Sequence, residues 1–204
     1  MLIKILPVGH LETNCYIVTD PDTLGCAVID PGDESNTILD YVETHRLTVK
    51  QIFLTHGHYD HTGAAETVAE ETGAPIRIHP ADLAGEGGHP AYQFKPGCPV
   101  KPYEDGERIP VDSLTFDVLE TPGHSPGSVT LVCQEAVFCG DTLFRDSCGR
   151  TDLPGGSMEV LLQSLRKLSQ LPGQYEVYPG HMEATDLDRE RKFNYYMRYA
   201  NEVQ

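Results

Sequence analysis

The chain has 204 residues, 39% hydrophobic and 23% charged, which predicts one globular domain over 1–204 that needs no disulfide support for its core. A formal net charge of −16 with no block of Lys and Arg repels phosphate backbones, so nucleic acid is excluded as an expected partner. Six cysteines without a CxxC pair read as reduced thiols, and neither a signal peptide nor a membrane-length apolar run is evident. The expectation is a cytoplasmic protein acting on a small molecule, with no membrane association and no obligate protein partner.

Three short strands open the chain, LIKILPV, NCYIVTD and GCAVIDPG, each rich in β-branched residues and closed by turn residues. Asp33 to Ser35 then offers N-cap chemistry for a helix carrying Ile38, Leu39, Val42 and Leu47 near one face. The strand VKQIFL runs directly into THGHYDHTG. Ala65, Val68, Ala69 and Thr72 follow at helical spacing until Gly73 and Pro75 end the helix, and PIRIHP is the next strand. From Ala84 to Pro110 there is little periodicity, with seven prolines and glycines before Lys101. Such a segment is expected to be either a lid or binding loop, or a surface insertion. The second half repeats the rhythm: strands LTFDVLET, SVTLVC and EAVFCGD precede a helix with Met158, Leu161, Leu162, Leu165 and Leu168 as its stripe and Ser157 as its cap. EVYPGH is a final strand and TDLDRERKFNYYMRYA a final helix, with Phe193, Met197 and Ala200 on one side. Two blocks of strands then helices predict an α+β or α/β architecture of packed layers.

THGHYDHTG places His56, His58, Asp60 and His61 within six positions. In extended backbone alternate side chains share a face, so His56 and His58 can address one ion from the end of their strand. The turn into the next helix aims Asp60 and His61 at a second point. His124 lies in TPGHSPGS, where prolines and glycines force a turn between strands; Asp141 ends EAVFCGD and His181 ends EVYPGH. Four apolar strands thus each deliver a donor at their C-terminal end, and the imidazole-rich set suits zinc or another borderline metal. Taken singly, His10, His45, His79 and His89 read as surface or hydrogen-bonded residues, Asp141 as a turn or cap residue and His181 as a strand-end polar group. Three histidines in six residues, in a chain with nine, read as a metal site. Arg150 either takes a substrate carboxylate or pairs with Asp146 or Asp152 to hold its loop. Cys139 and Cys148 lack a histidine partner of their own and read as small apolar residues.

In their order, THGHYDHTG, TPGHSPGS, FCGDTLF and YPGH resemble the signature of the metallo-β-lactamase fold superfamily over nearly the whole chain. CGDTLFRDSCGRTDLPGG is most similar to the short bacterial hydrolases related to glyoxalase II, the hydroxyacylglutathione hydrolases. The resemblance implies an α+β fold, a four-layer αββα sandwich with a binuclear site at one edge of its two sheets. By motif, His56, His58 and His124 hold the first metal, Asp60, His61 and His181 the second, and Asp141 bridges them. It implies a metal-dependent hydrolase of a small thioester or ester, with two divalent ions, zinc foremost and iron or manganese as alternatives, sharing the hydroxide that attacks the carbonyl. Asp60 takes a second role there in orienting the nucleophile. Three departures bear on the substrate. Asp152 stands where glyoxalase II carries an aromatic residue, Met182 and Glu183 follow His181 where it has an acidic residue and a tyrosine, and its helical C-terminal domain falls beyond Gln204. Glutathione is therefore not a required part of the substrate. A mononuclear iron persulfide dioxygenase is the enzymatic rival, and a metal-binding structural or interaction protein the non-enzymatic one. A β-lactamase is disfavoured because Asp141 is not part of that branch's usual ligand set.

Overall fold

The computed structural model describes residues 1–84, 89 and 91–202. One six-stranded sheet runs in chain order: β1 (Leu2–Val8), β2 (Thr13–Thr19), β3 (Gly25–Ile29), β4 (Thr48–Phe53), β5 (Ile76–Ile78) and β6 (Val100–Pro102). Its first three strands are antiparallel; from β3 onward they are parallel, with α1 (Ser35–Thr44) crossing from β3 to β4. Between β4 and β5 lie the one-turn helix α2 (Tyr59–Thr62) and α3 (Ala65–Thr72). The second sheet contains β7 (Arg108–Val111), β8 (Leu114–Glu120), β9 (Val129–Cys133) and β10 (Ala136–Gly140) as an antiparallel meander. A separate hairpin, β11 (Leu143–Phe144) and β12 (Ser147–Cys148), follows. Helix α4 (Met158–Ser169) then leads to β13 (Glu176–Pro179), parallel to β10, and β14 (Thr185–Asp186) closes the sheet. Helices α5 (Leu187–Phe193) and α6 (Tyr195–Glu202) end the described chain.

The period-two alternation of the central strands creates the layers. In β2 and β3, Cys15, Ile17, Cys26 and Val28 face α1 and α3, whose Ile38, Val42, Ala65 and Val68 complete one core. The alternate residues Tyr16, Val18, Ala27 and Ile29 face the second sheet and meet Phe116, Val118, Leu131 and Phe138 in another. A third core joins the far face of that sheet, through Val132, Val137 and Val177, to Leu165, Leu168, Leu187, Met197 and Ala200 of the C-terminal helices. Burying a side chain such as Phe116 or Phe138 contributes about 2–3 kcal/mol. Two mixed sheets packed face to face and flanked by helices make the expected α+β, four-layer αββα sandwich. Among the described residues no helix is long and apolar enough to cross a membrane.

Local expectations fail where short elements or tertiary contacts decide. The 84–110 segment is not wholly irregular: β6 and β7 form one edge of each sheet. Both are short and carry a proline, Pro102 or Pro110, which an edge strand tolerates. Residues 85–88 and 90 of that segment lie outside the described residues. The predicted final helix is broken at Asn194, whose backbone is extended at φ −67°, ψ 118°. The Asn194 side chain is buried, donating to the Phe144 and Ser147 carbonyls at 3.3 and 2.9 Å and accepting the Met197 N–H at 3.1 Å. These bonds to the β11–β12 hairpin replace helix continuity, and they leave Phe193 exposed instead of beside Met197. Helix α4 is capped by Ser157 as predicted, but Met158 points outward. Helix α1 starts within the expected Asp33–Ser35 stretch, but its N-cap residue is Glu34, in the left-handed region and with no side-chain cap hydrogen bond.

Candidate metal centre

The four donor-bearing strands end at one edge of the sandwich, and main-chain hydrogen bonds lace their loops together. Val129 N–H donates to the Thr55 carbonyl at 2.8 Å, joining the two sheets beside the histidine motif. Gly180 N–H donates to Gly140 O at 2.9 Å, and Asn14 N–H to Gly180 O at 2.7 Å, which brings Asp141 and His181 to the same place. All seven predicted donors are brought together there, in two three-residue groups with Asp141 between them. His10, His45, His79 and His89 stay outside both groups.

The first group is all imidazole. His56, His58 and His124 are buried, and one nitrogen of each lies within 4.8 Å of the others. His58 Nδ1 is 3.1 Å from His56 Nε2 and 2.9 Å from His124 Nε2. Outer partners fix the tautomers. His124 Nδ1–H donates to the Arg150 carbonyl at 2.8 Å, so its Nε2 carries a lone pair. Thr55 Oγ1 donates to Asp30 at 2.7 Å and accepts from His56 Nδ1 at 3.0 Å, so His56 Nε2 also carries a lone pair.

The second group contains a carboxylate. Asp60 Oδ2 lies 3.2 Å from His181 Nε2 and 3.5 Å from His61 Nε2, and the two imidazole nitrogens are 3.3 Å apart. Here too the rear nitrogens are held: His61 Nδ1–H donates to Asp30 Oδ2 at 2.9 Å and His181 Nδ1–H to the Leu11 carbonyl at 3.1 Å. Asp141 reaches both groups, its Oδ2 lying 3.5 Å from His124 Nε2 and 3.7 Å from His181 Nε2, and its Oδ1 3.5 Å from His61 Nε2. Asp141 Oδ1 is buried without a hydrogen-bond partner. Nitrogens of five imidazoles and the oxygens of two carboxylates therefore converge, with Thr13, whose hydroxyl donates to Asp60 Oδ2 at 3.3 Å, as the one hydroxyl donor to these carboxylates among the described residues. Such a set is electrostatically unfavourable unless protons or cations occupy it, and it fits divalent metal ions.

The protonation tendencies divide in the same way. Burial, then the charges of His61, His58 and His124, drives His56 far below the usual imidazole range, and burial with its neighbouring imidazoles takes His58 down to about 4. Burial also disfavours the charged form of His61, but Asp141, Asp30 and Asp60 outweigh it and raise the group to about 9. His181 is raised by its hydrogen bond to Asp60 and by Asp141, against the opposing effect of burial. Burial pushes Asp60 up, yet the hydrogen bond from His181 and the charge of His61 hold it well below the usual carboxylate range.

His58, His124, Asp60, His181 and Asp141 line a cavity of about 650 Å³, with His56 and His61 buried out of reach of it. Its walls are largely apolar, with Leu11, Tyr59, Tyr92, Phe144, Leu153 and Met182 among them. Tyr92 brings the 84–110 segment onto this wall, its ring edge-on to His58 at 5.8 Å. Arg150 also lines the cavity, but its guanidinium is held in a bidentate pair with Asp152 at 2.7 Å for both bonds. Of the expected pairings it is that with Asp152 which forms; Asp146 pairs with Arg189. All six cysteines are unpaired. Burial pushes the Cys139 thiol up to about 12 and that of Cys148 up to about 11, so neither is a ready nucleophile.

One residue of the centre escaped the sequence. Asp30, buried at the end of β3 with φ +52°, accepts Thr55 N–H at 2.7 Å as well as the Thr55 hydroxyl and His61 Nδ1–H. It stands behind one histidine of each group. Its available signal was an acid closing an apolar strand, as Asp141 does, but followed by Pro31 and Gly32 it read as a turn residue.

Comparison with known proteins agrees with this geometry. The sequence profile of the metallo-beta-lactamase superfamily matches residues 8–181. The chain is 37% identical to the probable metallo-hydrolase YqgX of Bacillus subtilis, covering 93% of this chain and 94% of that protein. It is 33% identical to the hydroxyacylglutathione hydrolase GloC of Haemophilus influenzae, over 95% and 97%. Among solved structures, the BLEG-1 B3 metallo-beta-lactamase superposes with a TM-score of 0.84 at 33% identity, covering 96% of this chain and 99% of that one. TTHA1623 in a di-iron-bound form gives 0.81 at 38%, over 95% and 99%. The chain belongs to the metallo-beta-lactamase superfamily. It is a metallo-hydrolase of that superfamily, with His/Asp clusters suited to divalent metals.

Proposed function

We propose that the protein is a binuclear metal-dependent hydrolase of a small thioester or ester, similar in chemistry to glyoxalase II. The observation that carries this reading is the position of Asp141, within 3.7 Å of nitrogens from both groups and with one buried oxygen lacking a partner. In the proposed centre His56, His58 and His124 hold one cation, Asp60, His61 and His181 the other, and Asp141 is shared. When bound, such a pair supplies Lewis acidity and lowers the pKa of a shared water toward neutrality.

The protein's own part is to hold these donors in fixed tautomers and to shape the approach. The rear hydrogen bonds of His56, His61, His124 and His181 keep each Nε2 directed at the centre. Asp60 borders the cavity beside His181 and is placed to orient the attacking water. The apolar wall of Leu11, Tyr92, Phe144 and Met182 holds the acyl or thiol part of the substrate and limits water around the reacting carbonyl. A thioester suits a site with no separate general acid, because a thiolate leaves without first taking a proton. The GloC relative supports hydroxyacyl thioesters as the substrate class, and the TTHA1623 structure supports iron beside zinc as a metal to test.

The test is turnover of S-lactoylglutathione by protein loaded with zinc or with iron, against the chelator-stripped protein and against a β-lactam as competing substrate class. Metal-dependent thioester hydrolysis well above β-lactam hydrolysis is expected. Oxygen consumption on a persulfide by a one-iron protein, without thioester turnover, would replace this reading with a dioxygenase.

A further inference from the structure

Asp82 is fully buried in the 3-10 turn Pro80–Asp82 and takes no place among the seven donors. Its carboxylate nevertheless touches both loops that carry the all-imidazole group. Oδ2 accepts Gly57 N–H at 2.7 Å and the Ser125 hydroxyl at 2.6 Å; Oδ1 accepts Gly127 N–H at 2.6 Å. Gly57 lies between His56 and His58, and Ser125 follows His124. One acid thus joins two loops brought in from opposite sheets. The approach is close enough to demand glycine on both sides. A Cβ at Gly57 would stand 2.5 Å from the Asp82 carbonyl oxygen, and one at Gly127 2.8 Å from Asp82 Oδ1. The Asp82 carbonyl also accepts Phe94 N–H at 2.9 Å, anchoring the segment that places Tyr92 on the cavity wall.

We propose that Asp82 is a positioning residue for the all-imidazole half of the centre: its carboxylate fixes the spacing of His58 and His124 and so sets that half's affinity for a divalent cation. This rests on the metal reading above. The chemistry of the three donors requires a carboxylate. Both N–H groups can only donate, and they approach opposite oxygens, so an amide in either orientation turns its own N–H₂ toward one of them. Asparagine therefore leaves a buried donor unsatisfied and pushes one loop away, and the displaced loop carries a histidine. Burial pushes the Asp82 carboxyl up, against the pull of Ser125, Gly57 and Gly127, which is the cost of placing a charge there. None of the Asp82 hydrogen bonds reaches Asp60, His61 or His181, so the effect belongs to one half of the centre.

The experiment titrates the full-length apo-protein with cobalt(II), whose visible absorption reports the ligand set, and assigns each binding step by its loss in His124→Ala or His181→Ala. Asp82→Asn is expected to weaken the step lost in His124→Ala by about 10- to 100-fold, the effect of removing an outer partner of a ligand, and to leave the other step unchanged. Leu165→Ala, a cavity in the remote C-terminal core, should lower thermal stability without moving either step. A folded Asp82→Asn protein with both steps as in the wild type, or with both weakened equally, overturns the proposal. If Asp82→Asn does not fold, Ser125→Ala removes one donor and keeps the carboxylate; a several-fold weakening of the His124 step alone supports the proposal, and two unchanged steps overturn it. A wild-type chain with no cobalt-binding step would instead refute the metal reading on which the proposal stands.

Discussion

The two halves of the centre are built from the same kind of residue and behave oppositely. His56, His58 and His124 are buried among one another, and their mutual charge and burial keep His56 and His58 neutral far below pH 7. In the other half Asp60 and His181 are only partly buried, and the carboxylates of Asp141, Asp30 and Asp60 outweigh the burial of His61 and raise it to about 9. Without metal, the neighbouring carboxylates favour a proton on His61, which a cation must displace. His56 and His58 thus keep lone pairs ready at neutral pH, whereas the other half must lose a proton first. An acid beside a histidine does more than add a ligand; it changes what competes for the site.

The largest expected effect removes the residue common to both halves. Asp141→Asn should lower thioester turnover by more than the roughly 100-fold that outer partners control, while the apo-protein keeps its thermal stability. Undiminished turnover would remove Asp141 from its bridging role. Acidification should separate the halves. Because His61 loses its proton only as pH rises through about 9, and His181 is raised as well, affinity of the second half should fall by at least about tenfold per pH unit below that value. Between pH 8 and pH 6 this amounts to on the order of 100-fold, while His56, driven far below the usual imidazole range by burial, and His58, which titrates near 4, keep their lone pairs. Metal retained per chain after dialysis at the two pH values measures this, and equal loss from both halves would contradict it. Asp30→Asn places an amide N–H₂ against Thr55 or His61, and about 10- to 100-fold weaker binding is expected, larger at the His61 half, which Asp30 holds directly. The smallest effect concerns Arg150→Ala. Its guanidinium is exposed and already paired with Asp152, so KM for anionic substrates should rise only about a few-fold more than for neutral ones. Equal effects on both would assign Arg150 to holding its loop.

The contrast between halves was legible in the sequence only as a list of donors. HxHxDH and the three later strand ends located them because a strand followed by a tight turn fixes where its last polar residue goes, whatever the rest of the chain does. The long strands and the stripes of α1, α3 and α4 were legible for the same reason of period. Asp30 and Asp82 were not, because each acts on residues 25 to 45 positions away and looks locally like a turn acid, in IDPG and HPAD. The short edge strands β6, β7 and β14 give too few residues for alternation to register. The break at Asn194 depends on carbonyls 47 and 50 residues earlier, which no helical pattern contains.

If two cations share Asp141, the metal-to-chain ratio of purified protein, wild type beside Asp141→Asn, will show it. Two divalent ions per wild-type chain and a smaller ratio in the variant are expected. One ion per wild-type chain, retained in full by Asp141→Asn, would contradict that sharing.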